Sequence, residues 1–152
     1  MNGKRTVLFL CTHNAARSQM GEALLRKHAG DRFEVLSAGL EPGEVHPLTH
    51  RALNEIGIDT SELRSKSVMD FLGKTRIHIA IIVCENAKQN CPSIYPNALE
   101  VLYWPLDDPA AAEGSEEQRL AQFRNIRDEI DEKLREWLAT IDEPAGTREG
   151  ET

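Results

Sequence analysis

The stretch Cys11-Thr12-His13-Asn14-Ala15-Ala16-Arg17-Ser18 combines a nucleophile with an anion grip. A thiolate attacks, and a guanidinium fork holds two oxygens of a tetrahedral anion better than an ammonium does. The residues between them can turn successive backbone N–H groups toward one point, and a helix starting at Arg17 adds its own unsatisfied N–H groups. A cation in a first helical turn opposes the macrodipole by about 0.3–1 kcal/mol, so Arg17 breaks a local rule in a way that calls for a ligand charge. The pattern predicts an oxyanion cradle over Thr12, His13, Asn14, Ala15, Ala16, Arg17 and Ser18. Its field should lower the Cys11 pKa below the free-thiol value of ~8.5. Ser18 is suited to hydrogen-bond the sulfur and Asn14 to brace the loop. Cys11 as a small apolar residue at a strand end remains the plain alternative, and the His13 side chain is read as a bystander.

A second group lies in Trp104-Pro105-Leu106-Asp107-Asp108-Pro109. A carboxyl beside a bound oxyanion can protonate a leaving oxygen, a contribution of roughly 10² to 10⁴ in rate. Asp107 reads more simply as a solvated loop residue or a cap. The remaining thiols are Cys84 and Cys91, in Cys84-Glu85-Asn86-Ala87-Lys88-Gln89-Asn90-Cys91-Pro92, and three cysteines argue against a static disulfide framework. Their spacing, without a second Cys or His pair nearby, fits a closed four-ligand zinc site poorly. Two inert packed thiols stay open as a reading.

The elements that must carry these groups follow from the apolar pattern. Thr6–Leu10, Phe33–Ser37, Ile77–Cys84 and Ala98–Tyr103 read as strands, the third as the central one. Arg17–Ala29, stopped by Gly30, reads as an amphipathic helix, and Pro47–Ile56, stopped by Gly57, as a second. A short helical piece is expected around Val68–Leu72. The long C-terminal helix, Glu116–Ile141, carries Leu120, Phe123, Ile126, Ile130, Leu134, Trp137 and Leu138 at steps of three and four. Alternating strands and helices predict an α/β single-domain three-layer sandwich with a four-stranded parallel sheet, and its ligand belongs outside the carboxyl ends of the strands. With 152 residues, 40% of them apolar, one domain over residues 1–141 is expected, followed by a polar tail over 142–152. No apolar run approaches the ~20 residues of a membrane span, and the amino terminus lacks a secretory pattern, so a cytoplasmic address is expected. A net charge of −7 argues against nucleic acid.

CTHNAARSQMGEALL resembles the phosphate-binding loop of the low-molecular-weight protein tyrosine phosphatase superfamily, above all its thioredoxin-coupled arsenate reductase branch. The likeness continues through SAGLEP, the strand before Cys84, and LDDP. It implies that Cys11 is the nucleophile, that the loop amides and Arg17 bind the oxyanion, and that Asp108 is the general acid. CENAKQNCP resembles the segment holding two further redox cysteines, which makes Cys84 the resolving thiol and Cys91 the one that carries oxidising equivalents outward. The substrate implied is arsenate, with phosphate or sulfate as analogues, and the partner is thioredoxin or another dithiol reductant. No cofactor and no metal are expected. The alternative is a low-molecular-weight phosphatase hydrolysing a phosphoester through a Cys11 phosphoenzyme. If residues 84–91 begin a helix, the two cysteines lie about 10 Å apart, beyond the ~7 Å that a disulfide tolerates, so the segment is expected to unwind on oxidation. Two departures bear on specificity. Residue 110 is alanine where many of the phosphatases carry an aromatic. Where some thioredoxin-coupled members hold potassium with residues matching Asn14, Glu22, Ser37 and an aspartate, Lys66 stands near the aspartate's place.

Overall fold

The computed structural model describes residues 4–71, 74–83 and 98–142. Four strands, β1 (Arg5–Cys11), β2 (Phe33–Gly39), β3 (Ile79–Ile82) and β4 (Glu100–Tyr103), form one sheet in the order β2-β1-β3-β4. All three pairings are parallel. The carboxyl ends of the strands therefore share an edge, and Cys11, Gly39 and the loop after β4 lie along it.

Among the described residues the helices are α1 (Arg17–Ala29), α2 (Pro47–Asn54) and α3 (Glu116–Asp142), with 3-10 turns at Val68–Asp70 and Pro109–Ala111. Phe9 faces α1 so closely that a Cβ on Gly21 would sit 2.6 Å from its ring. Leu8 and Leu10 alternate to the opposite face, and with Ala80 and Ile82 they too are buried. The sheet is thus covered on both sides, as the continuous apolar character of its strands requires. Trp137 of α3 packs its ring 5.6 Å from Phe33 and 6.3 Å from Trp104, spanning the sheet from β2 to the end of β4. Arg127 joins α3 to α2 by donating to Ala52 O and Glu55 Oε2. Among the described residues no helix is long and apolar enough to cross a membrane.

The expected elements form, with informative shifts at their ends. β3 begins two residues later than expected because the His78 ring takes a place in the ladder: its Nδ1 accepts the Thr6 N–H at 2.9 Å. Ile77 is buried all the same, and Cys84 lies outside the described residues. α2 ends as its glycine foretold. Gly57 adopts φ +88°, while Ile58 N–H reaches Leu53 O and Gly57 N–H reaches Asn54 O, the two bonds of a Schellman motif. Gly30, expected as a stop, stays right-handed with φ −64°. α1 is not simply amphipathic: Ser18, Gln19 and Glu22 are buried along with Met20, Leu24 and Leu25. Its polar side meets other polar groups instead of water. Leu72, Cys91 and the tail from 143 lie outside the described residues.

Candidate active site

β1 delivers Cys11 to the carboxyl edge, 2% exposed, and the loop then turns back over the sulfur. Asn14 makes the turn in the left-handed region, φ 54°, which costs a non-glycine residue roughly 1–3 kcal/mol unless its surroundings impose it. They do. Asn14 Nδ2 donates to Ser18 Oγ at 2.6 Å and to Ser37 Oγ at 3.0 Å. Its Oδ1 accepts from Gln19 Nε2 at 2.9 Å and from Lys66 N at 2.8 Å. Gln19 Nε2 also lies 3.0 Å from Asn14 O and 2.6 Å from Arg64 O. Every side-chain atom that could let this residue relax is engaged.

The result is a set of donors aimed at one place. Asn14 N–H points to the Cys11 sulfur at 3.3 Å, and Ser18 Oγ lies 2.9 Å from it. Ser18 already accepts from Asn14, so its own proton is free for the sulfur, and both donors favour a thiolate. The N-cap of α1 is Ala16, which offers no side-chain acceptor. The N–H groups of His13, Ala15, Ala16, Arg17 and Ser18 consequently have no hydrogen-bond partner among the described residues. Unpaired donors at a helix start, beside a thiol, are what an oxyanion requires.

Arg17 and Asp108 stand at the mouth. Arg17 Nη1 donates to Leu106 O at 3.0 Å, and its Nη2 lies 3.7 Å from Asp108 Oδ2. The acid loop is tied to the sheet, since Trp104 N–H bonds Ile82 O and Leu106 N–H bonds Val83 O. Asp108 has a structural task as well, its Oδ1 accepting from Ala110 N at 3.0 Å to cap the 3-10 turn. Its side chain is 41% exposed against 11% for Arg17. Asp107 is exposed. The exposed His13 ring is pinned to Glu41 O at 3.0 Å, turned to the loop's outer support.

Gly39 is a site residue that spacing did not single out. A Cβ there would meet Thr12 O at 2.8 Å and Asn14 N and His13 C at 2.9 Å, all backbone atoms. We expect Gly39→Ala to push the loop off the thiol and to cost about 1–3 kcal/mol, with oxyanion protection of Cys11 from alkylation lost before the fold is; protection equal to the parent would contradict the close packing. Gln19 was missed too, because a glutamine in an apolar helix pattern reads as solvent-facing.

Beneath the loop, Ser37 Oγ donates to Glu22 Oε1 at 2.5 Å. The Lys66 ammonium sits 3.5 Å from the same oxygen and 3.4 Å from Ser37 Oγ, and it donates to Arg64 O at 2.7 Å. Burial lowers the Lys66 pKa and Glu22 opposes that shift. An ammonium thus occupies the ground beside Asn14, Glu22 and Ser37. Replacing potassium by sodium at fixed ionic strength is expected to leave the activity unchanged, and activation by potassium would show this reading wrong.

A family model described as low molecular weight phosphotyrosine protein phosphatase matches residues 6–146. The chain belongs to this family. An arsenate reductase of Bacillus licheniformis is 40% identical over 140 residues, covering 90% of this chain and 97% of that protein. A solved structure described as an arsenate reductase in the phosphate binding state superposes with a TM-score of 0.76 at 28% identity, covering 91% of this chain and 99% of that one. The thioredoxin-dependent arsenate reductase of Corynebacterium glutamicum superposes at 0.69 with 34% identity, covering 91% of this chain and 62% of that longer one. Within the family, the sulfur, the loop donors, Arg17 and Asp108 form an arrangement suited to attack on a tetrahedral oxyanion. Cys84 and Cys91 lie outside the described residues.

Proposed function

We propose that this chain reduces arsenate to arsenite with the electrons of its own thiols. The observation that carries the chemistry is the Cys11 sulfur, set 2.9 Å from Ser18 Oγ under unpaired loop amides with Arg17 and Asp108 at the opening. Its relatives' names give the substrate, and Cys84 and Cys91 give the attack a redox outcome. The Cys11 thiolate adds to arsenic while Asp108 hands a proton to the departing oxygen, which leaves as water. Cys84 then attacks the Cys11 sulfur. The sulfur–arsenic bond breaks with its electron pair going to arsenic, which leaves as arsenite, and a Cys11–Cys84 disulfide remains. Cys91 next attacks Cys84, releasing the Cys11 thiolate and forming a Cys84–Cys91 disulfide that thioredoxin or another dithiol reduces.

This assigns one catalytic domain to residues 1–141, with 142–152 as a tail, and a cytoplasmic location beside a dithiol pool. Phosphoester hydrolysis is the second reading, favoured by the family's own description and by Arg17 and Asp108. It needs only water in place of Cys84. The test supplies arsenate, thioredoxin, its reductase and NADPH to the reduced protein and measures arsenite together with NADPH consumed. Equal molar yields support the reductase, and hydrolysis of a phosphoester without any arsenite supports the phosphatase.

A further inference from the structure

A pair of cationic and aromatic nitrogens beside the cradle has no acceptor. His46 caps α2, and its Nδ1 accepts the Leu48 N–H at 3.0 Å. An imidazole whose Nδ1 lone pair is engaged carries its proton on Nε2. Burial lowers the His46 pKa, the nearby Arg119 guanidinium lowers it further, and Asp108 pulls the other way. The ring is thus suited to stay neutral with an Nε2–H, and that hydrogen faces another donor, Arg119 Nη2, at 3.4 Å. Arg119 Nε is also buried without a partner, and Arg119 forms no ion pair among the described residues. The His46 Nε2–H and the Arg119 Nη2 donors therefore face each other with no acceptor between them, while Arg119 Nε is sealed from solvent.

The place of this spot matters. The His46 backbone N–H bonds Ala15 O at 3.0 Å and Thr49 Oγ1 bonds the same carbonyl at 2.9 Å, so the start of α2 is clamped to the cradle loop. The His46 ring lies 4.7 Å from Phe123, which fixes it against α3. Arg119 repeats the oddity of Arg17. Ser115 caps α3, accepting from Gln118 N while Gln118 Oε1 accepts from Ser115 N, and Arg119 follows directly, a cation near the positive end of the helix.

We propose that Arg119, oriented by His46, is a further oxyanion contact at the mouth of the cradle and selects small inorganic tetrahedral anions over organic phosphoesters. The inference rests on the loop after Cys11 being the oxyanion site. Loop amides and Arg17 hold the oxygens that face inward, and the remaining oxygen points outward on the Asp108 side. In arsenate or inorganic phosphate that oxygen offers lone pairs to the unpaired donors. In an ester it bears carbon, and a guanidinium pressed against carbon loses water and gains no acceptor, which penalises the ester.

The test follows alkylation of Cys11 in the reduced full-length protein by iodoacetamide, read on the Cys11 peptide, with inorganic phosphate as protectant. It also measures KM for phenyl phosphate. Arg119→Gln should raise the half-protecting phosphate concentration about tenfold, the order of one charge-assisted hydrogen bond, and should lower the phenyl phosphate KM, because the penalty on the ester goes with the guanidinium. Arg119→Lys should recover much of the protection, and His46→Asn, which keeps an acceptor for Leu48 N–H, should lose part of it. Arg135→Gln, an exposed charge farther along α3, controls for net charge and should change neither. Parental protection in Arg119→Gln overturns the inference, as does an equal rise in both constants. If phosphate does not protect even the parent, the cradle reading itself falls, and the inference with it.

Discussion

Serine at position 84 is expected to abolish arsenite turnover while phosphoester hydrolysis continues. The two reactions share their first half, in which a Cys11 thiolate under the Asn14 and Ser18 donors takes a tetrahedral oxyanion. They part at the covalent adduct. Hydrolysis needs water to attack phosphorus, and nothing at position 84 takes part. Reduction needs a second sulfur to attack the first, because only then does the electron pair of the sulfur–arsenic bond leave with arsenic. A serine oxygen cannot supply the disulfide that stores the oxidising equivalents. Serine at position 11 should remove both reactions, by about 10⁴-fold or more, since no other group takes the nucleophile's place. Colorimetric arsenite and p-nitrophenol release, run side by side on the parent and both variants, read the result. Arsenite formation by Cys84→Ser at the parental rate would refute the cascade.

Arg17 is expected to show the next largest effect. It is 11% exposed, anchored by one nitrogen to Leu106 O, and 3.7 Å from Asp108 by another. A guanidinium in that position can hold two oxygens of the transition state and keep the acid close. Arg17→Ala should lower kcat/KM for both substrates by about 10²- to 10³-fold, the loss seen when one preorganised oxyanion donor is removed. Arg17→Lys should regain little, because a single ammonium cannot bond Leu106 O and span two anion oxygens together. The readout is kcat/KM for arsenate and for a phosphoester in each variant. A lysine variant within about threefold of the parent would mean that charge alone is enough and that the planar fork contributes nothing.

Much of the site was legible because its parts are close in sequence. Cys11, Arg17 and Ser18 fall on one strand-loop-helix junction, so spacing alone places a thiol, an anion grip and a helix start together. Asp108 was singled out through the resemblance of LDDP to the family's loop, and the fold brings it 3.7 Å from Arg17 because the strand before it ends on the same edge. The polar residues of α1 were not. Gln19 and Glu22 sit among apolar neighbours at positions that normally face water, yet Gln19 reaches Asn14 and Arg64, and Glu22 reaches Ser37, Arg26 and Lys66. A helix pattern records which residues are polar. It does not record whether water or a folded loop will satisfy them.

By itself the sequence determined the order of the strands and helices, the parallel α/β class, the chemistry available at Cys11, Arg17 and Asp108, and the presence of two more thiols. These follow from local apolar periodicity, from turn residues such as Gly57, and from side-chain chemistry. Only the tertiary structure decided that Asn14 is held left-handed, that Gly39 must lack a Cβ, that Lys66 lies against Glu22, and that His46 meets Arg119 73 positions along the chain. The reason is physical. Each of these depends on a close approach between segments brought together by the crossovers of a parallel sheet, and no local preference encodes the distance at which they meet.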